Sequence, residues 1–270
     1  MFYQAKNGRI RMKDNHMDYV VFGKGTKPLI MIPGVGDGLK TIRGMALPFA
    51  LMYRQYAKDY RVYVFSRRAR LKKGYTTKDM AVDQARAMRC LGLERADIIG
   101  ISQGGMIAQH LAVSYPELVD RLVLAVTLPK TGAILRRQVR QWIRCLDRKD
   151  YRDLVERMIG QMYSEDYYRK MVWLCPVIAK LMPYISKDRF RIMALASGSH
   201  DLTKELGKIR AKTLIIASGK DWIVGSSGSR KMASLIPDAD LHIFKNGEHG
   251  VYDEEKEFHR VVLDFLNGKS

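Results

Sequence analysis

The 270-residue chain predicts an α/β fold: a mostly parallel central sheet flanked by helices, with a helical insertion after the sixth strand. Three observations carry this reading. Short apolar, β-branched runs alternate with helical patterns from Arg9 to Val126. Between about Pro129 and Ile209 the alternation stops and the pattern is helical throughout. It resumes with Thr213, so residues 1–128 and 210–270 form one discontinuous sheet domain around an insertion of residues 129–209. The length agrees, because about 250–300 residues is where a single hydrophobic core stops growing.

Each element has its own signal. Arg9 to Phe22 alternates on either side of Asp14-Asn15-His16 and predicts a hairpin turning there. Pro28–Pro33, Arg61–Phe65, Ala96–Ile101 and Arg121–Val126 predict buried strands, separated by helical patterns near Gly44–Tyr60, Thr76–Leu91 and Gln103–Ser114. Within the insertion, helical spacing covers Leu135–Asp147, Tyr151–Met162, Glu165–Leu174 and Asp188–Ala196. After it, strands Thr213–Ser218 and Asp240–Phe244 frame a helix at Ser227–Leu235, and a last helix runs from Glu254 to Leu266.

Composition narrows the function classes. At 47% hydrophobic and 28% charged residues, disorder is excluded as the main state. Three widely spaced cysteines, Cys90, Cys145 and Cys175, fit neither a disulfide framework nor a metal site, which predicts a reducing compartment. No window approaches the roughly 18 apolar residues of a membrane span, and the first ten residues lack a signal-peptide core, so a cytoplasmic location is expected. The net charge of +19 invites an anionic partner. Nucleic acid is not expected, since no base-reading motif accompanies the cations. Arg136, Arg140 and Arg144 would share one helix face in the insertion, and Arg67, Arg68, Arg70, Lys72 and Lys73 follow a strand. Such clusters are either solvated faces or places where an anionic substrate or a lipid surface is attracted.

The chemistry concentrates in three short stretches. Gly100-Ile101-Ser102-Gln103-Gly104-Gly105 matches G-x-S-x-G, with an apolar strand before it and a helical run after it. A serine on so sharp a turn has a strained backbone, and only glycines at its flanks let the helix pack close by. Because a serine hydroxyl is a poor nucleophile near neutral pH, it needs a base, and the base needs an orienting carboxylate. Asp221 and His249 follow in that order, each just beyond the C-terminal end of a predicted strand. His16, His110, His200, His242 and His259 lie in a turn, in helices or in a strand and read as structural, and Asp201 and Asp238 read as turn residues.

Together with Pro33-Gly34-Val35-Gly36, Gly219-Lys220-Asp221 and Gly247-Glu248-His249-Gly250, this set resembles the α/β-hydrolase superfamily, in its single-domain, cap-bearing branch. The resemblance spans nearly the whole chain and implies that residues 129–209 are the variable cap. It assigns the oxyanion-binding donors to the backbone N–H groups of Val35 and Gln103. Two departures are visible: Pro33 stands where the family commonly has histidine, and Gly225 where many relatives have proline.

Acyl transfer to water on Ser102, His249 and Asp221 is the implied reaction, with no metal or organic cofactor, and with turnover rising as pH carries the base to its neutral form. Gly34, Gly36, Trp142, Trp173 and Trp222 are the expected pocket residues, with Met158, Met162, Tyr163, Tyr167, Tyr168, Met171, Met182 and Tyr184 as further apolar candidates. They favour a small-molecule ester with apolar acyl or aryl groups. The same triad also serves lysophospholipid, monoacylglycerol or thioester hydrolysis, carbon–carbon hydrolysis and perhydrolysis in similar families. A slow-turnover sensor of a small molecule is the third class. A serine nucleophile argues against epoxide hydrolase and haloalkane dehalogenase, where the resembling families have aspartate.

Overall fold

The computed structural model describes residues 2–269 apart from 14, 40 and 182–186. Eight strands form one sheet: β1 (Lys6–Met12), β2 (Asn15–Phe22), β3 (Lys27–Ile32), β4 (Tyr60–Arg68), β5 (Ala96–Ile101), β6 (Val119–Ala125), β7 (Lys212–Ser218) and β8 (Ala239–Phe244). Their spatial order is β1-β2-β4-β3-β5-β6-β7-β8, antiparallel from β1 to β4 and parallel from β4 to β8. The period-two pattern divides the core. Ile98, Leu122 and Ile215 pack on one face under α2 (Thr77–Cys90), α3 (Gln103–Ser114) and α9 (Ser227–Leu235). Ile99, Val123 and Leu214 pack on the other with Ala50 of α1 (Ala46–Met52), Val251 of α10 (Val251–Glu254) and Phe258, Val262 and Phe265 of α11 (Lys256–Leu266). Every residue of β5 is buried, as expected for a central strand covered on both sides.

The hairpin turns earlier than its sequence suggests. Met12 pairs with Asn15 and Arg11 with His16, so Asn15 and His16 belong to β2 and only residues 13 and 14 connect the strands. Lys13 takes the left-handed conformation (φ 37°) that so short a connection demands, and Asp14 lies outside the described residues. The predicted helix at 44–60 is likewise shorter, α1 followed by a single 3-10 turn at Arg54–Tyr56.

Between β6 and β7 the chain forms α4 (Ala133–Arg148), α5 (Tyr151–Met162), α6 (Glu165–Met171), α7 (Cys175–Leu181) and α8 (Lys187–Gly198). It leaves and returns side by side: Thr131 N–H donates to His200 O at 2.9 Å, and Leu202 N–H to Pro129 O at 2.8 Å. Leu135, Val139, Trp142, Leu154 and Phe190 form its own apolar cluster, which reaches the sheet domain through Met106, Leu128, Ile223 and Val224. The helices thereby lie over the C-terminal ends of the parallel strands. No described helix is long and apolar enough to cross a membrane.

Candidate active site

Ser102 sits between β5 and α3 with φ 54° and ψ −119°, a conformation costly for any residue but glycine. The glycines around it explain why the strain persists. A Cβ on Gly104 would stand 1.8 Å from the Ile32 carbonyl oxygen, and one on Gly105 would stand 2.6 Å from the Thr127 side chain. A Cβ on Gly100 would meet the backbone of Gly104 and Gly105 at 2.7 Å. Close packing of α3 against β3 and β6 therefore forces the sharp turn, and the turn projects Ser102 beyond the strand.

Asp221 and His249 follow β7 and β8, and the two loops are bonded to each other. Gly219 N–H donates to Phe244 O at 2.9 Å and Lys220 N–H to Gly247 O at 3.0 Å. Glycine is needed at 219 because a Cβ there would lie 2.1 Å from Lys245 O. One Asp221 oxygen accepts the backbone N–H groups of Ile223 (2.8 Å) and Val224 (2.9 Å). The other lies 2.7 Å from His249 Nδ1, and His249 Nε2 lies 3.0 Å from Ser102 Oγ. Both Asp221 and His249 are buried. With Nδ1–H donating to the carboxylate, Nε2 is left as acceptor for the serine proton. The structure thus brings together the three residues that the sequence singles out.

Gly225 has φ +74°, which proline's ring forbids, so the loop after Asp221 takes a path of its own while its backbone still grips the carboxylate. On the opposite side, a Cβ on Gly34 would be 3.5 Å from Ser102 Cβ, so the loop from Pro33 borders the serine directly. Val35 opens a 3-10 turn (Val35–Gly38) and Gln103 opens α3. First-turn N–H groups have no acceptor within their own helix, and both border the same serine.

A cavity of about 340 Å³ opens over Ser102 and His249. Pro33, Gly34, Val35 and Gly36 line it beside the serine; Ile42, Met45, Phe49, Ile223 and Tyr252 also come from the sheet domain, and Trp142, Met158 and Met162 come from the insertion. Asp37 and Thr41 complete it, and no Lys or Arg is among the described lining residues.

Of the residues the sequence reading assigns to a pocket, Trp142, Gly34 and Gly36 line this cavity. Trp173 and Trp222 do not line the cavity: they are 68% and 66% exposed. Trp173 falls in a one-turn 3-10 segment (Val172–Leu174), and at 222 the neighbouring Ile223 is the side chain that turns inward. Of the further apolar candidates, Met158 and Met162 line the cavity, Tyr163, Tyr167, Tyr168 and Met171 do not, and Met182 and Tyr184 lie outside the described residues. The other histidines are elsewhere. His110 and His200 pack edge to face at 5.3 Å, pushed down by burial to about 4 and about 3, and His259 meets the Tyr56 hydroxyl at 3.0 Å. Asp201 pairs with Lys130, and Asp238 is exposed.

One group escapes sequence reasoning altogether. Arg67, there part of a basic cluster, is wholly buried, with Arg189 of α8 and Asp37 beside it. The Asp37 carboxylate accepts from Ser66 Oγ (2.5 Å), Arg67 N–H (2.9 Å) and Arg189 Nη2 (2.6 Å). Burial pulls Arg67 down to about 10, with Asp37 opposing the shift, so it remains protonated at neutral pH.

A strained serine between strand and helix, a buried Asp–His pair and an eight-stranded, mostly parallel sheet define an α/β-hydrolase. Residues 27–256 match the model of the alpha/beta hydrolase fold family, and the chain belongs to it. Similar proteins include the provisionally named carbamate hydrolase RutD of Caulobacter sp. (strain K31), 30% identical over 207 residues that cover 73% of this chain and 74% of the relative. The proline iminopeptidase PfmaB of Pestalotiopsis fici is 26% identical over 272 residues, covering 92% of this chain and 94% of the relative. Among solved structures, MGS-M2, an alpha/beta hydrolase enzyme from a Medee basin deep-sea metagenome library, superposes with a TM-score of 0.83 at 22% identity, covering 96% of this chain and 97% of that one.

Proposed function

We propose that this hydrolase cleaves uncharged carboxylic esters with apolar acyl or aryl groups through an acyl-enzyme on Ser102. The observation that carries the reading is the hydrogen-bonded line Asp221–His249–Ser102, whose histidine and serine line an apolar cavity. Ser102 Oγ attacks the ester carbonyl as His249 Nε2 takes its proton, and Asp221 stabilises the imidazolium. The tetrahedral oxyanion is held by the N–H groups of Val35 and Gln103, a donor of this kind being worth about a hundredfold or more in rate. His249 then protonates the departing alkoxide, activates a water, and that water releases the acid.

The cavity lining favours a neutral substrate, since a carboxylate or phosphate would find no cation among the described lining residues. The basic row Arg136, Arg137, Arg140 and Arg144 is exposed on α4, whose opposite face contributes Trp142 to the cavity. These cations therefore suit contact with an anionic surface outside the cavity rather than recognition inside it.

Relatives named for carbamate and iminopeptide hydrolysis support a second reading, cleavage of a C–N bond through the same acyl-enzyme. Matched p-nitrophenyl esters, p-nitroanilides and carbamates with the same acyl group, assayed with wild type and Ser102→Ala, decide between them. Ester turnover that needs Ser102 and exceeds anilide and carbamate turnover is the expected result. Preferential anilide or carbamate cleavage would replace it with the second reading. A few turnovers per hour on every substrate, with a small molecule raising Tm, would favour a sensor.

A further inference from the structure

We propose that helix α8 of the insertion is a fixed brace for the oxyanion-binding pair, with Gln103 (through its side chain), Arg67, Asp37 and Arg189 as positioning residues. The inference rests on the acyl-transfer reading above. Its basis is that polar contacts from both donor segments converge on one face of one helix.

On the Gln103 side, the side-chain amide nitrogen donates to Met193 O and to Ser197 Oγ, each at 2.6 Å. On the Val35 side, Arg189 donates to the Asp37 carbonyl and carboxylate, within the 3-10 turn that Val35 opens. Arg189, Met193 and Ser197 are spaced four apart, so they form one stripe on α8. The two donor segments are also joined directly. Arg67 Nη2 donates to Pro33 O at 2.5 Å and to Gln103 Oε1 at 3.3 Å. The fit is close as well as polar, since a Cβ on Gly38 would stand 2.9 Å from Phe190 Cα.

Such bracing matters because an oxyanion donor works only when it is 2.7–3.1 Å from the place the oxyanion will occupy. The backbone N–H groups do the binding; the side chains below them hold the angle and spacing. On this account α8 belongs functionally to the sheet domain and only the rest of the insertion is free to vary with substrate.

The test uses Gln103→Leu, Arg189→Lys and Ser197→Ala in the full chain, with kcat normalised to active sites titrated by a fluorophosphonate. Wild-type turnover is established first; if it is absent, the acyl-transfer reading fails, and the bracing is then without a reaction to serve. With turnover present, Gln103→Leu is expected to lower kcat per titrated site about tenfold to a hundredfold with KM within about twofold. Its affinity for a trifluoromethyl ketone that mimics the tetrahedral state should fall by the same factor as kcat/KM. Smaller losses of about threefold to tenfold are expected for Arg189→Lys, which keeps the charge but not the fork, and for Ser197→Ala. A purely structural role would instead reduce the titrated fraction and leave kcat per site unchanged, and that result overturns the proposal. Should Gln103→Leu not fold, unchanged kcat per site in both milder variants overturns it equally.

Discussion

The cavity wall supplied by the sheet domain and the wall supplied by the helical insertion are held by different physics. On the sheet side Ser102, Asp221 and His249 are each held by several constraints. Ser102 is forced into its conformation by glycines that admit no Cβ, and Asp221 is gripped by two backbone N–H groups and the His249 ring. On the insertion side, the half-buried Met158 and Met162 present flexible thioethers to the cavity. That wall is fastened at its margins: at α8, and at the end of α5, where Tyr163 OH donates to Asp253 at 2.8 Å and Gly250 N–H to Met162 O at 2.5 Å. The geometry around the serine is therefore fixed, while the cavity wall facing it is adjustable.

Substitutions on the two walls should therefore fail differently. Asp221→Asn should have the largest effect, about 10³–10⁴ in kcat on an ester with KM little changed, because the amide cannot hold the His249 tautomer; steady-state kinetics on p-nitrophenyl butyrate check it. Gly104→Ala comes next: the new methyl would overlap the Ile32 carbonyl, so stability should fall by about 3 kcal/mol or more, read by urea denaturation. A Gly104→Ala variant as stable as wild type would show that the turn can relax and that the two walls are less different than they look. Met158→Ala should be much milder. It is expected to shift KM between short and long acyl esters by a few-fold while kcat on the shortest ester stays within about twofold.

The smallest effect is a pH dependence set outside both walls. Burial lowers His110 and His259 to about 4 and His200 to about 3, so the unfolded chain takes up these protons first as pH falls below the ordinary imidazole range of about 6.5. Their contribution to stability is complete above that range and is lost as pH drops toward 4. Replacing His259 with Asn should lower Tm at neutral pH yet flatten its decline between pH 6.5 and 4, as differential scanning calorimetry would show. An unchanged slope would mean that His259 does not titrate this way.

How much of this is legible in the sequence follows the same division. Ser102, Asp221 and His249 are readable because the chemistry demands those residue types at strand ends and because steric necessity writes glycines beside the serine and the acid. The pocket is not, because a tryptophan's role depends on the phase of its segment against the core. Trp142 falls on the buried face of α4, whereas Trp173 and Trp222 of the same composition class point to solvent. The hairpin turn is displaced because pairing register, not residue type, decides which residues stay in the strand. Arg67 is the most instructive miss. As a cation among cations after the predicted strand Arg61–Phe65 it looks solvated, but β4 runs on to Arg68, and only the approach of Asp37, Pro33 and Gln103 in the folded chain makes its burial possible.

The proposed chemistry stands or falls on Ser102 as the nucleophile, activated by His249. Peptide mapping by mass spectrometry after reaction with a fluorophosphonate tests it most directly, run on wild type, Ser102→Ala and His249→Gln. One adduct is expected, on Ser102, absent from the alanine variant and formed at least about a hundredfold more slowly without the histidine. An adduct on another residue, or labelling of wild type no faster than that of His249→Gln, would contradict it.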